Sequence, residues 1–253
     1  MSREATVAWA RAALIAASIA LLEVLCRLQI INPLTLLPPS QMASALAELL
    51  ISGQMVNDIA QTFSTVAAAF ALAAIFGFAL GAVAHTAPRL RRLLDPLLAS
   101  YYSIPFFVFY PLLIAIFGLN RIPLAVIGLI FAAAAMALAT LNGLDRVQPA
   151  LKKTAKTMGL SRLQAILFVI IPATVPYLFT GLKLALAYAF IGVIAGEFIL
   201  SGAGLGYAIA YAYNNFDNRT MYATMLFVLI VAAALNGLLQ GWEHRILKRR
   251  GLK

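Results

Sequence analysis

The chain has 253 residues, of which 63% are hydrophobic and only 11% are charged. Ordinary soluble domains are roughly half apolar and about a quarter charged, so this composition excludes an ordinary soluble domain. The net charge of +10 does not indicate nucleic-acid binding, because the basic residues lie in short clusters between apolar runs and not in one patch with interleaved aromatics.

Six apolar runs predict an all-α polytopic membrane protein with six transmembrane helices. About 20 apolar residues form a helix long enough to cross a hydrocarbon core of about 30 Å. We interpret the first run as a retained helix and not as a signal peptide, because it is long and lacks a clear cleavage site. The predicted helices cover residues 7–26, 58–84, 96–118, 123–142, 173–200 and 221–242.

The distribution of Lys and Arg predicts the orientation of these helices. Fifteen of these residues lie near the chain termini or after the second and fourth predicted helices, whereas three lie in the opposite loops. Cytoplasmic loops carry the excess of basic residues. Both termini are therefore predicted to be cytoplasmic.

A short amphipathic helix is predicted at residues 40–52, between the first two membrane helices. Ser40 can cap its start, and Gly53 can close its end. The helix either lies on the outer membrane surface or packs against the bundle. Its apolar face would carry Met42, Ala45, Leu46, Leu49 and Leu50.

The third predicted helix contains a proline within an aromatic-rich run. Pro105 removes a backbone hydrogen bond, so the helix should kink or break there. Tyr101, Tyr102 and Phe106 lie beside this irregularity and are candidates to line a solute path. Such aromatics also pack internally or lie at a membrane interface.

The longest polar stretch, residues 142–162, is cytoplasmic by the charge distribution, and it lies within a predicted cytoplasmic loop of about residues 143–172. Pro149 favours the first turn of a helix, and Gly159 suits the left-handed position that ends one. Ser161 and Gln164 form a capping-box pattern that starts a second helix, predicted to end at Pro172. We expect an exposed elbow that either inserts into a groove on another protein or simply connects two membrane helices. Its tip would be formed by Ala155, Met158 and Leu160.

This stretch resembles the cytoplasmic loop of permeases from binding-protein-dependent ATP-binding-cassette (ABC) importers. That loop has a Glu-Ala-Ala triplet, a glycine after three residues, and an aliphatic-x-aliphatic-Pro ending. Lys153-Thr154-Ala155 occupies the triplet, with lysine and threonine in place of glutamate and alanine, and Val169 and Ile171-Pro172 form the ending. The resemblance implies a type I importer permease fold over residues 1–253. The residues that it assigns to ATPase coupling are Lys153, Thr154, Ala155, Met158, Gly159, Leu160, Ser161 and Pro172.

The resemblance also implies the partners and the location of the chain. Such a permease is a non-catalytic subunit in the bacterial inner membrane that works with a second permease copy, two ATPases and an extracytoplasmic solute-binding protein. ATP and Mg would bind the ATPases. The sequence agrees independently, because it contains no Gly-x-x-x-x-Gly-Lys-Ser/Thr phosphate loop.

A second resemblance concerns the fifth predicted helix and its exit. Residues 181–185, 195–198 and 202–207 are similar to permeases of the nitrate, sulfonate and taurine branch. This similarity implies a small anion as solute, with a pyrimidine vitamin precursor or an aromatic acid as the alternative. A secondary transporter or channel that works without an ATPase is the rival function.

Two ionisable residues lie within the fifth apolar run, where each needs a partner or water. Lys183 either faces the solute path or extends toward the cytoplasm, and Glu197 either contributes to an external gate or holds the Gly202–Gly206 turn. The sequence shows no metal-ligand spacing and no catalytic set.

Overall fold

A computed structural model describes residues 3–32 and 35–249 of the chain. Every regular element in these two ranges is helical, as predicted. The α-helices are α1 (Arg3–Arg27), α2 (Pro39–Ile51), α3 (Val56–Thr86), α4 (Pro88–Ser100), α5 (Tyr110–Phe117), α6 (Arg121–Asp145), α7 (Pro149–Thr157), α8 (Arg162–Ala165), α9 (Ile171–Leu200), α10 (Leu205–Asn214) and α11 (Asn218–Arg249).

Five helical stretches in the described ranges are long and apolar enough to cross a membrane. They correspond to five of the six predicted transmembrane helices, and each of them is at least 19 residues long. They cover Trp9–Arg27, Val56–Thr86, Arg121–Asp145, Arg162–Ile199 and Asn218–Arg245.

The third predicted helix, residues 96–118, is broken and does not form one continuous span. Two short 3₁₀ turns, Tyr101–Ser103 and Phe106–Phe109, separate α4 from α5. Pro105 lies between the two turns with φ −78° and ψ 75°, outside helical geometry. The predicted break at this proline is therefore confirmed, whereas the prediction of one helix across it is wrong.

The centre of the bundle is formed by α3, α6 and α9, which pack closely through small residues. A Cβ atom on Gly77 would lie 2.6 Å from the carbonyl oxygen of Ala133, and one on Gly81 would lie 2.6 Å from that of Ala137. Real side chains do not approach so closely, so these two glycines allow α3 and α6 to touch along their backbones. Close contact between small residues is a main source of helix association in membranes, where burial of apolar surface contributes little.

The short helix α2 packs against the bundle, which is one of the two arrangements expected for it. Its Ala45 and Leu46 are buried with Leu205 and Ala223 of α10 and α11. The predicted cap is wrong: the helix starts at Pro39, and Ser40 donates its N–H and its hydroxyl to Glu23 of α1 instead. The predicted end is confirmed, since Gly53 follows the helix with φ +73°.

Candidate functional site

The polar stretch forms the predicted elbow, which we define as residues 149–165. Helix α7 ends at Thr157, and Gly159 follows with φ +70°. The N–H of Gly159 donates to the carbonyl of Lys156, and that of Leu160 donates to the carbonyl of Ala155, both at 3.1 Å. This is the Schellman arrangement, in which a left-handed residue ends a helix.

The second arm of the elbow starts with the predicted capping box. Ser161 Oγ accepts from the N–H of Gln164, whose side chain accepts in return from the N–H of Ser161. Both helix ends at the elbow are therefore fixed by local hydrogen bonds.

Exposure at the tip of the elbow differs from residue to residue. Met158 is 71% exposed, and the side chain of Leu160 is half-buried. The expectation that Ala155 forms part of the exposed tip is wrong, because Ala155 is only 3% exposed on the inner face of α7. An apolar side chain as exposed as Met158 is suited to a groove on a partner.

The remaining predicted coupling residues of α7 face solvent. Lys153 and Thr154 are both exposed, and Thr154 donates its hydroxyl to the carbonyl of Ala150 one turn earlier. Among the described residues Lys153 makes no ion pair. The face of α7 that carries these side chains is therefore polar and positive.

The base of the elbow is joined to neighbouring helices by Asp145, the last residue of α6. Arg91 of α4 donates to both carboxylate oxygens of Asp145, at 3.0 and 2.6 Å. His85 Nδ1 of α3 lies 2.8 Å from the same carboxylate. Hydrogen bonding to Asp145 raises the pKa of Arg91 above its usual range. Arg146, the next residue, lies over the ring of Tyr177 in α9, 5.6 Å from its centroid.

The second arm of the elbow continues without interruption into α9. A π-helical turn, Ile166–Ile170, joins α8 to α9, and the helical path extends from Arg162 to Ile199. The prediction that this arm ends at Pro172 is therefore wrong. Proline in a helix interior removes one backbone hydrogen bond and crowds the preceding turn. The wider π turn directly before Pro172 relieves that crowding.

The aromatic residues beside Pro105 pack against α6. The ring centroids of Tyr101 and Phe106 lie 4.6 Å apart, and that of Phe106 lies 5.7 Å from Phe131. The hydroxyl of Tyr101 donates to the carbonyl of Ile130. The side chain of Tyr102 lies outside the described part of the structure. Lining of a solute path by these residues stays a prediction, and their described contacts are with the chain itself.

The charge of Lys183 in α9 is paired within the chain. Its Nζ lies 2.5 Å from Oε2 of Glu243 in α11, and both side chains are largely shielded from solvent. A partnered lysine satisfies the requirement for an ionisable group in a membrane helix. The pair also links α9 to α11.

Glu197 lies at the other end of α9 and is completely buried. The hydroxyl of Thr62 in α3 lies 2.9 and 2.8 Å from its two carboxyl oxygens, and the N–H of Gly206 donates to Oε2 at 3.0 Å. Thr62 Oγ1 also accepts from the N–H of Leu205 at 2.9 Å. These four residues, the Glu197 cluster, join α3 and α9 to the start of α10, so Glu197 holds the glycine-rich turn.

The glycines of this turn allow the carboxyl group to reach it. A Cβ atom on Gly204, which has φ +106°, would lie 2.4 Å from the Glu197 carboxyl. A Cβ atom on Gly206 would lie 2.3 Å from the carbonyl oxygen of Ile194. The N–H of Gly204 donates to Asp58 of α3 at 2.8 Å.

Two members of this region, Thr62 and Asp58, were not predicted from the sequence. Thr62 lies 135 positions from Glu197, so no pattern within α3 could pair the two residues. The polar pair Asp58 and Thr62, one turn apart at the start of α3, is the only local signal. No group of three His, Cys, Asp or Glu residues in the described ranges lies close enough to hold a metal ion.

Comparison with known proteins identifies the family. The family model described as "Binding-protein-dependent transport system inner membrane component" matches residues 73–251. The nitrate import permease protein NrtB of Leptolyngbya laminosa is 31% identical over 190 residues, which cover 75% of this chain and 68% of that protein. The taurine transport system permease protein TauC of Escherichia coli K12 is 27% identical over 229 residues, which cover 88% of this chain and 83% of that protein.

The fold is similar to that of a solved ABC transporter. A chain from the inward-facing MetNI methionine ABC transporter aligns with a TM-score of 0.62 at 19% identity, over 75% of this chain and 92% of that one. At this identity the likeness concerns the fold alone. Since the family model covers most of the chain, the protein belongs to the binding-protein-dependent transport system inner membrane components, the non-catalytic permease subunits of ABC importers.

Proposed function

We propose that the elbow is the surface on which a separate ABC ATPase docks, and that ATP-driven movement of the ATPase is transmitted through it to the membrane helices. The observation that carries this proposal is the exposure of Met158 at the tip of a segment whose two helix ends are both fixed by local hydrogen bonds. The continuous path from α8 into α9 supports it, because a displacement of the elbow moves α9 directly.

The proposed complex contains two copies of this chain, two ATPases and an external solute-binding protein. In this assembly ATP and Mg bind to the ATPases. The chain crosses the membrane six times, with the broken segment α4–α5 as the third crossing and both termini on the cytoplasmic side. The charge distribution supports this orientation, because the elbow and the two ends carry most of the Lys and Arg residues.

The proposed solute is a small anion of the nitrate, taurine or aliphatic sulfonate kind. The solutes named for related permeases support this class, including the putative aliphatic sulfonates transport permease SsuC of Bacillus subtilis, which is 26% identical over 232 residues. The charge of Lys183 is already neutralised by Glu243, so we do not assign this lysine to anion attraction. In the proposed mechanism Glu197 maintains the shape of the outer turn.

Chemical crosslinking of single-cysteine variants tests the docking surface. In a Cys26→Ala background, Met158→Cys places a thiol at the elbow, and Phe216→Cys places one at a 90% exposed position between α10 and α11. A maleimide–amine crosslinker should join the first variant, and not the second, to the coexpressed ATPase in membranes. Crosslinking at both positions, or only at residue 216, would contradict the proposal.

The same two variants test the orientation. A membrane-impermeant maleimide added to intact spheroplasts should label Phe216→Cys and leave Met158→Cys unlabelled until the membrane is opened. The opposite pattern would place the elbow outside the cell, where no ATPase can reach it.

A further inference from the structure

An apolar groove open to the surroundings runs between α9 and α11. Its main part is a cavity of about 520 Å³ lined by both helices, with Leu186, Leu235, Leu238 and Trp242 among its walls. A narrower part of about 100 Å³ shares Leu186 and Leu235 and extends toward Ile191. We refer to the two parts together as the α9–α11 groove.

The groove is open because two glycines on α11 leave it unfilled. Gly237 and Gly241 lie one turn apart, and a Cβ atom on either would meet no other atom within 4 Å. These glycines are therefore not required for packing within the described chain, unlike those between α3 and α6. Leu238 and Trp242 beside them are 71% and 58% exposed.

The end of the groove nearest the C-terminus is positively charged. Arg245 lines this end and is exposed, and it makes no ion pair with any residue that the structure describes. The nearby carboxylate of Glu243 is paired with Lys183 at 2.5 Å. The negative charge of Glu243 is thus already neutralised by Lys183, and the positive charge of Arg245 remains available to an anionic ligand.

The length of the main part of the groove matches one leaflet of a bilayer. Leu235 and Arg245 are ten residues apart on α11, about 15 Å at the standard rise. This is half of a hydrocarbon core of about 30 Å. Trp242, one turn before the charged end, is the residue type that favours the boundary between acyl chains and headgroups.

We propose that the α9–α11 groove binds one anionic phospholipid, whose phosphate contacts Arg245 and whose acyl chain lies over Gly237 and Gly241. Basic residues at membrane surfaces attract anionic headgroups. The apolar walls and the missing side chains of the two glycines provide space for the acyl chain. This site is separate from the elbow, so the proposal holds whether or not the elbow binds an ATPase.

A second copy of the chain fits the groove less well than a lipid does. About a two-fold axis normal to the membrane, a residue and its copy lie at the same depth, so a contact that closes the groove would bring the two Arg245 side chains into the interface at one level. Like charges at close range oppose such a contact, whereas a phosphate would neutralise the arginine.

Fluorescence quenching by brominated lipids tests the proposal in the full-length protein. The sequence contains two tryptophans, so Trp9→Phe leaves Trp242 in the groove as the only reporter. In phosphatidylcholine vesicles, brominated phosphatidylglycerol should quench Trp242 more strongly than brominated phosphatidylcholine at the same mole fraction. The difference should correspond to an enrichment of phosphatidylglycerol beside Trp242 of about fivefold. Arg245→Gln should reduce this enrichment to about onefold, whereas Arg89→Gln, which removes an exposed cation from α4, should leave it unchanged.

A second variant tests the acyl-chain part of the site. A Cβ atom at Gly237 or Gly241 meets open space, and leucine favours a helix more than glycine does, so Gly237→Leu combined with Gly241→Leu should fold and fill the groove. Quenching by both brominated lipids should fall at least twofold.

Three results would overturn the proposal. The first is equal quenching by both lipids in the parent protein. The second is an enrichment that survives Arg245→Gln. The third is efficient disulfide formation between copies in membranes by Leu238→Cys in a Cys26→Ala background, since a second copy would then cover the groove.

Discussion

Replacement of Thr62 by valine removes the hydroxyl group at the centre of the Glu197 cluster with almost no change in side-chain volume. The hydroxyl lies 2.9 and 2.8 Å from the Glu197 carboxyl oxygens and accepts from the N–H of Leu205 at 2.9 Å. Thr62→Val therefore leaves both a carboxyl group and a backbone N–H without this partner, in a region closed to water. Thr62 and Glu197 are both 0% exposed.

The expected loss of stability follows from these two contacts. A buried polar group left without its partner costs about 1–3 kcal/mol, so the two together amount to about 2–6 kcal/mol. Because the Glu197 carboxyl keeps the N–H of Gly206 as a donor, we expect the lower part of this range, about 3 kcal/mol. For a chain of this size, 1 kcal/mol corresponds to about 2–4 °C in the unfolding midpoint. We expect Thr62→Val to unfold about 6–12 °C below the parent.

Thr140→Val is the matched control, because Thr140 is also 0% exposed. Its hydroxyl donates only to the carbonyl of Met136 in the same helix, so the loss should stay below about 1 kcal/mol. Thr62→Ser keeps the hydroxyl and should lose about 1 kcal/mol through its missing methyl group.

The measurement is the thermal unfolding midpoint of each purified variant in one detergent at one heating rate, because unfolding of membrane proteins is often irreversible. If Thr62→Val and Thr140→Val unfold within 2 °C of each other, the Glu197 cluster does not stabilise the outer turn in the way described here.

Three further changes test other contacts by the same thermal measurement. Gly206→Ala should destabilise the protein by about 2 kcal/mol or more, because the new Cβ atom would lie 2.3 Å from a backbone oxygen. Gly202→Ala is the control and should be nearly neutral, because its Cβ atom meets no other atom within 4 Å. Equal unfolding midpoints for the two variants would refute the close approach at Gly206. Lys183→Met should leave Glu243 unpaired and lower the midpoint, and adding Glu243→Gln should restore most of the loss; no recovery in the double variant would count against the pair. Gly159→Ala meets open space but must adopt φ +70°, so it should cost only about 1 kcal/mol, and a larger loss would mean that the elbow is packed more tightly than described.

Features encoded by neighbouring residues were predictable from the sequence. The elbow follows from Pro149, Gly159 and the Ser161–Gln164 capping box, each of which acts on backbone groups within a few positions. Long apolar runs likewise fixed the positions of α3, α6 and α11 to within a few residues, except that α11 extends further toward the C-terminus. In each case the signal and the structure that it determines lie in the same segment.

Features that depend on distant residues could not be predicted. The partner of Lys183 lies 60 positions away in α11, and the capping role expected of Ser40 was displaced by the carboxylate of Glu23. Ala155 was wrongly expected at the exposed tip, because its burial comes from the packing of α7 against α8 and the π turn, which the sequence of α7 does not show. Helix α10 was missed because the glycines before it indicate a turn and give no sign of the helix that follows.

The π turn Ile166–Ile170 sets the rotational angle at which the elbow leaves the bundle. A π-helical turn accommodates one residue more than an α-helical turn, so the extra residue is absorbed within the turn. If the same residues formed an ordinary α-helix, that residue would swing the tip by about 100° around the helix axis. Deleting one residue here, such as the 70% exposed Phe168, would instead let an ordinary α-helix form while Met158 keeps nearly its present direction. Related chains that lack both the residue and the π turn would therefore present the same tip to the same side.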